Sequence, residues 1–82
     1  MTNIQLLNAA SVDNFIEMGF IKEDDGSGSP WGIDYNIRTE KFHLMIDPTF
    51  EVKLMRLDVD ADAIVLHVTD LSELENVVNF IQ

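Results

Sequence analysis

Over residues 31–38 the chain reads Trp-Gly-Ile-Asp-Tyr-Asn-Ile-Arg, with every odd position large and apolar and every even one Gly or polar. A period of two is the mark of a strand with one face buried. The same alternation recurs in Phe42, Leu44 and Ile46, then in Phe50, Val52 and Leu54, and again in Ile64, Leu66 and Val68. Between the runs, Thr39-Glu40, Asp47-Pro48-Thr49 and residues 58–62 carry turn-forming side chains. Runs this short, joined this tightly, pair antiparallel rather than through parallel crossovers. The pattern predicts a four-stranded meander.

Toward the C-terminus the period changes. Leu71, Leu74, Val78 and Ile81 recur at helical spacing, with Val77 beside them. Asp70 stands at the N-cap with Glu73 three residues later, a capping box with Asp in the place of Ser or Thr. An earlier helix is predicted around Val12, Phe15 and Ile16, with Ser11 as cap and Leu6 and Ala9 as an upstream extension. Gly19 falls where a left-handed C-terminal residue is wanted, and Phe20 is placed to fold back onto Phe15. Residues 22–30, rich in Glu, Asp, Gly and Ser, read as a flexible acidic loop.

The order is therefore α-β-β-β-β-α in a single α+β domain spanning residues 1–82. Two amphipathic helices and one apolar sheet face are satisfied together by a two-layer sandwich, both helices on one face. Trp31, Ile33, Tyr35, Ile37, Phe42, Leu44, Ile46, Phe50, Val52, Leu54, Ile64, Leu66 and Val68 are the expected sheet half of the core. Pairing Arg38 with Lys41, Ile46 with Phe50 and Leu57 with Ala63 sets out the other face. One row holds Asp34, Met45 and Glu51, and a second holds Asn36, His43, Lys53 and His67. The third holds Arg38, Lys41, Met55 and Val65. Most of the basic residues would then share the open sheet face, and the carboxylates would lie in loops and on helices.

Composition narrows the partners. The 82 residues hold five Lys and Arg against fifteen Asp and Glu, a net charge of −10. Such a charge repels nucleic acid and anionic membranes and attracts cationic protein surfaces. The absence of cysteine suits a reducing cytoplasm. The N-terminus lacks a basic region of the signal-peptide kind, and no apolar run approaches the roughly 18 residues of a membrane span.

The motifs that suggest chemistry fail on inspection. Asp58, Asp60 and Asp62 open like a calcium loop, but its sixth position, which needs Gly, is Ala63, and its twelfth, which needs Glu, is Thr69. His43 and His67 fall short of a zinc ligand set, with the Lys53 ammonium between them. No serine lies in a nucleophile elbow, and Gly26-Ser27-Gly28 follows three acids that would repel a phosphate. The expectation is a non-enzymatic protein with no cofactor and no metal. Trp31 reads as a core lid under the first helix, or, if exposed, as an anchor for a partner.

The helix ending in Met18-Gly19-Phe20, the alternating strands from Trp31 to Val68 and the closing Thr69-Asp70-Leu71-Ser72-Glu73-Leu74 make up a small, cysteine-free, strongly acidic α+β build. In that build the chain resembles the acidic accessory proteins of phages and mobile elements, anti-CRISPR and DNA-mimic proteins among them. The resemblance implies a stoichiometric inhibitor occupying a basic, nucleic-acid-binding surface of a protein partner, and it assigns a role to no particular residue. Carboxylates held on a rigid surface compete for Lys and Arg clusters as phosphates do. The candidates are Asp24, Asp25, Asp58, Asp60, Asp62, Glu73 and Glu75. An immunity-type protein that neutralises a basic toxin is physically close to this reading. The alternative is an assembly module that forms a homodimer through its sheet face or edge, with His43, Met45, Lys53, Met55 and His67 at the contact.

Overall fold

The computed structural model describes Leu7 and residues 11–82. Helix α1 (Val12–Met18) leads into strand β1 (Ile21–Asp24), and a 3-10 turn (Pro30–Gly32) leads into β2 (Ile33–Arg38). Strands β3 (Phe42–Ile46), β4 (Val52–Arg56) and β5 (Ile64–Leu66) follow, and α2 (Leu71–Ile81) closes the chain. The α+β class is as expected, but the sheet has five antiparallel strands in the order β1-β2-β3-β4-β5, where four were predicted.

The additional strand is β1, three of whose four residues fall in the stretch read as a flexible loop. Its sequence, Ile-Lys-Glu-Asp, has one apolar residue, because it is an edge strand whose charges face water. The loop proper begins at Asp25, whose N–H donates to the Gly32 carbonyl at 3.0 Å. Asp24 Oδ1 accepts the Gly26 N–H at 2.8 Å and Asp25 Oδ1 the Ser27 N–H at 2.8 Å, so side chains shape the turn. Trp31 belongs to the 3-10 turn rather than to β2 and is 70% exposed. It is not a core lid: the turn's Ser29 hydroxyl accepts the Trp31 N–H at 3.2 Å and holds the indole outside the layers.

Helix α1 ends as its sequence requires. Gly19 sits at φ 108°, its N–H bonds the Ile16 carbonyl at 3.1 Å, and the Phe20 N–H bonds the Phe15 carbonyl at 3.0 Å. This is a Schellman ending, and it brings the Phe15 and Phe20 rings to 6.0 Å. Ser11 holds the N-cap position without the side-chain cap bond expected of it, and Ile16 is exposed rather than on the buried face. The predicted extension through Leu6 and Ala9 lies outside the described residues. In α2 the Asp70 carboxylate accepts the Glu73 N–H at 2.9 Å, and Glu73 reaches back to Thr69 Oγ1 at 3.2 Å.

One core joins both helices to one sheet face. Phe15, Leu74, Val78 and Ile81 cluster with Phe20, Tyr35, Ile37, Leu44, Ile46 and Val52. Ile64, placed in this core from its alternation, is 60% exposed because β5 is a short edge strand.

The register differs from expectation at every turn. Arg38 opposes His43 rather than Lys41, because Glu40 and Lys41 form the loop and Thr39 Oγ1 accepts the Phe42 N–H at 3.0 Å. Ile46 opposes Val52 rather than Phe50. Here Asp47 Oδ1 gathers the Thr49 and Glu51 N–H groups at 2.9 and 3.0 Å, and Phe50 takes the left-handed position at φ 67°. Leu54 opposes Ile64, so the last loop holds residues 57–63. Each slip is of two residues, which keeps every side chain on its predicted face but changes its neighbours.

Candidate functional site

The open sheet face is not the basic surface the sequence suggests. Arg38 is paired with Glu23 of β1 at 2.6 Å, and Lys53 lies 3.4 Å from Asp47 and 3.8 Å from Glu51. The Glu23 carboxyl is held below its usual range, chiefly by the hydrogen bond from Arg38. The predicted rows are rearranged as well. His43 lies opposite Arg38 and Met55, Lys53 lies between Met45 and Val65, and His67 follows the last residue of β5. The two histidines therefore do not flank Lys53, and Met45 and Met55 are half-buried among charges.

At the centre of this face Asn36 is 1% exposed. Its Oδ1 lies 2.6 Å from His43 Nε2, and its Nδ2 donates to Asp34 Oδ2 at 3.4 Å. With the amide so oriented, the Nε2–H of His43 donates to Asn36 Oδ1. Burial, and then the Arg38 charge, push its pKa below the ordinary 6.5. Below pH 6.5 the unfolded chain thus takes up a proton that the folded one resists, so stability falls as pH drops through that window. Replacing His43 with Gln is expected to flatten the dependence of the urea midpoint on pH between about 6.5 and 5, where carboxylates contribute little. An unchanged slope would overturn the assignment.

The predicted acids are not gathered into one site. Asp24 ends β1 and Asp25 opens the loop after it at one edge of the sheet, whereas Asp58, Asp60 and Asp62 lie in the loop before β5 at the opposite edge and opposite end. Asp58 is taken up by Arg56, which donates to it at 2.7 and 3.0 Å. Glu73 serves the helix cap. Of the seven predicted acids, Glu75 lines a concavity between the two helices.

That concavity is a groove of about 560 Å³ between α1 and α2. Met18, Leu71 and Val78 supply its apolar lining, and Glu17 and Glu75 bring a carboxylate from each helix. Asn14, Ser72, Asn79 and Gln82 add neutral polar groups. The helical layer holds Asp13, Glu17, Asp70, Glu73 and Glu75, while residues 11–21 and 69–82 contain no Lys or Arg. Unlike Glu23, Asp47, Glu51 and Asp58, these carboxylates form no salt bridge among the described residues. Glu17 is missing from the residues singled out in the sequence. Its signal was the absence of basic residues from both helices, which a search for acidic runs passes over.

The groove presents anionic and amide oxygens over an apolar floor, an arrangement suited to the stem and head of a Lys or Arg side chain. Among the described residues no three His, Asp or Glu side chains converge as metal ligands would, and no helix is long and apolar enough to cross a membrane. Comparison with known proteins finds no matching family model, no matching curated protein and no matching solved structure.

Proposed function

We propose that this protein is a non-enzymatic binder that blocks a basic protein surface stoichiometrically, with the α1–α2 groove as the centre of its contact. The observation that carries the reading is the helical layer itself, with carboxylates from both helices, no Lys or Arg, and a groove between Glu17 and Glu75. A cationic side chain entering it meets opposite charge without first displacing an internal partner, and each such neutralised contact makes binding sensitive to salt. The class that the chain resembles acts in this way, by occupying surfaces that otherwise bind nucleic acid. An origin in a phage or mobile element belongs to the same proposal.

Titration calorimetry with polylysine tests it. Binding is expected to weaken steeply between about 50 and about 200 mM salt. The double replacement Glu17→Gln with Glu75→Gln is expected to weaken it roughly tenfold, the equivalent of about 1.4 kcal/mol. Glu40→Gln, which removes one charge from the β2–β3 turn, should leave the affinity within about twofold. A double variant that binds like the parent would overturn the proposal.

A further inference from the structure

The two edges of the sheet are built differently. Edge strand β1 has three charged side chains in four residues, the usual protection against adding a strand. Edge strand β5 is Ile-Val-Leu, with no charge at all. Ile64 and Val65 are 60% and 48% exposed, and Leu57 and Val59 in the adjoining loop are exposed too. The hydrogen-bond alternation also leaves main chain available. The Leu57 N–H bonds the Lys41 carbonyl at 2.7 Å and the Asp47 N–H bonds the Glu51 carbonyl at 3.0 Å, which turns the groups of Lys53 and Met55 toward β3. Those of Val52 and Leu54 then face β5, where Leu66 and Ile64 receive them. The N–H and C=O of Val65 point the other way, to an edge where no described strand lies.

We propose that β5 is a docking edge at which an extended, Lys- or Arg-bearing segment of a protein partner adds as a sixth strand. The occupant follows from charge. Two basic residues lie near this corner: Arg56 is neutralised by its two bonds to Asp58, and Lys41, whose carbonyl accepts the Leu57 N–H, is outnumbered by Asp60 and Asp62, so the carboxylates are still in excess. A second copy of this chain would bring another −10 to the same edge, whereas a cationic strand is attracted to it. Main-chain bonds at Val65 give such a strand its hold, Ile64 and Val65 meet its apolar side chains, and Asp60 and Asp62 select its cations. The inference deepens the proposed function and rests on its cationic partner, but it uses a different surface from the groove.

The test is an octapeptide of alternating Val and Lys, added to the full chain and followed by amide exchange and titration. A counterpart N-methylated at every residue has the same charge but no N–H on either edge, so it cannot add as a strand. The first peptide is expected to slow exchange at the Val65 amide, and the counterpart to bind at least tenfold more weakly. Val65→Pro is expected to lose the first peptide with the fold intact, because this N–H lies outside the ladder with β4 and edge proline is tolerated there. Val65→Lys keeps the main chain, adds a like charge, and should lose it as well. Equal binding of the two peptides, or protection confined to groove amides, would overturn the edge while leaving the cationic partner standing. So would failure of both peptides where polylysine still binds through Glu17 and Glu75, and loss of polylysine binding too would sink both readings. Protection of Val65 that grows with protein concentration alone, with a doubled mass, would give the edge to a second copy and overturn the cationic occupant.

Discussion

Replacing Phe15 with Ala is expected to lower the unfolding free energy by about 3–5 kcal/mol, the range for a fully buried aromatic ring. Phe15 is 0% exposed, and its ring centroid lies 5.4 Å from Tyr35, 6.0 Å from Phe20 and 6.4 Å from Phe50. It is the one buried side chain of α1, which has only seven residues and is too short to persist as a helix without its packing. Losing the ring therefore opens a cavity and releases the first element from the sheet together. At about 0.05–0.15 kcal/mol per residue, the total stability of a domain of this size is about 4–12 kcal/mol, so the loss is a large share of it. Urea titration followed by circular dichroism reads the effect as a large fall in midpoint at similar slope. Ile16→Ala, next in sequence but exposed, should cost less than about 1 kcal/mol. Equal losses at the two positions would refute the packing assignment.

That contrast also shows where the sequence was legible. Helical spacing put Val12, Phe15 and Ile16 on one face, but the Schellman turn folds Phe20 onto Phe15, and of the three only Phe15 is fully buried. Strand identity in β2, β3 and β4 followed from alternation, because their odd or even positions meet two helices. Register did not, because it is set in the turns, and those turns use unobvious residues. Phe50 occupies a left-handed position where Gly or Asn would have announced the turn, and it packs on Phe15. Strand β1 went unseen because an edge strand with charged flanks has no alternation to display. The acids were visible as a total but not as a site. Their number fixed the net charge, whereas their usefulness depends on which of them have cationic partners, and that depends on register. Glu23, Asp47 and Asp58 have such partners, while Glu17 and Glu75 stand on helices without a cation.

Replacing Asn36 with Asp is expected to cost about 2–4 kcal/mol at neutral pH, between the loss of a buried hydrogen bond and the burial of an uncompensated charge. Asn36 works through two differently signed groups: its oxygen accepts from His43 Nε2 and its nitrogen donates to Asp34 Oδ2. The substitution keeps the oxygen but sets a second carboxylate oxygen against Asp34. It also reverses the titration of His43, since a carboxylate at hydrogen-bond distance outweighs burial and raises the imidazole pKa above its ordinary value. A raised pKa contributes stability that is fully present below about 6.5 and lost as pH rises through the folded value. The parent therefore weakens on acidification from pH 7, whereas the variant strengthens, and the two urea-midpoint profiles should have opposite slopes over that range. Adding Asp34→Asn restores a donor opposite the new carboxylate and should recover part of the loss. If both slopes keep the same sign, or the second substitution deepens the loss, Asn36 is a packing residue and not the hinge of this network.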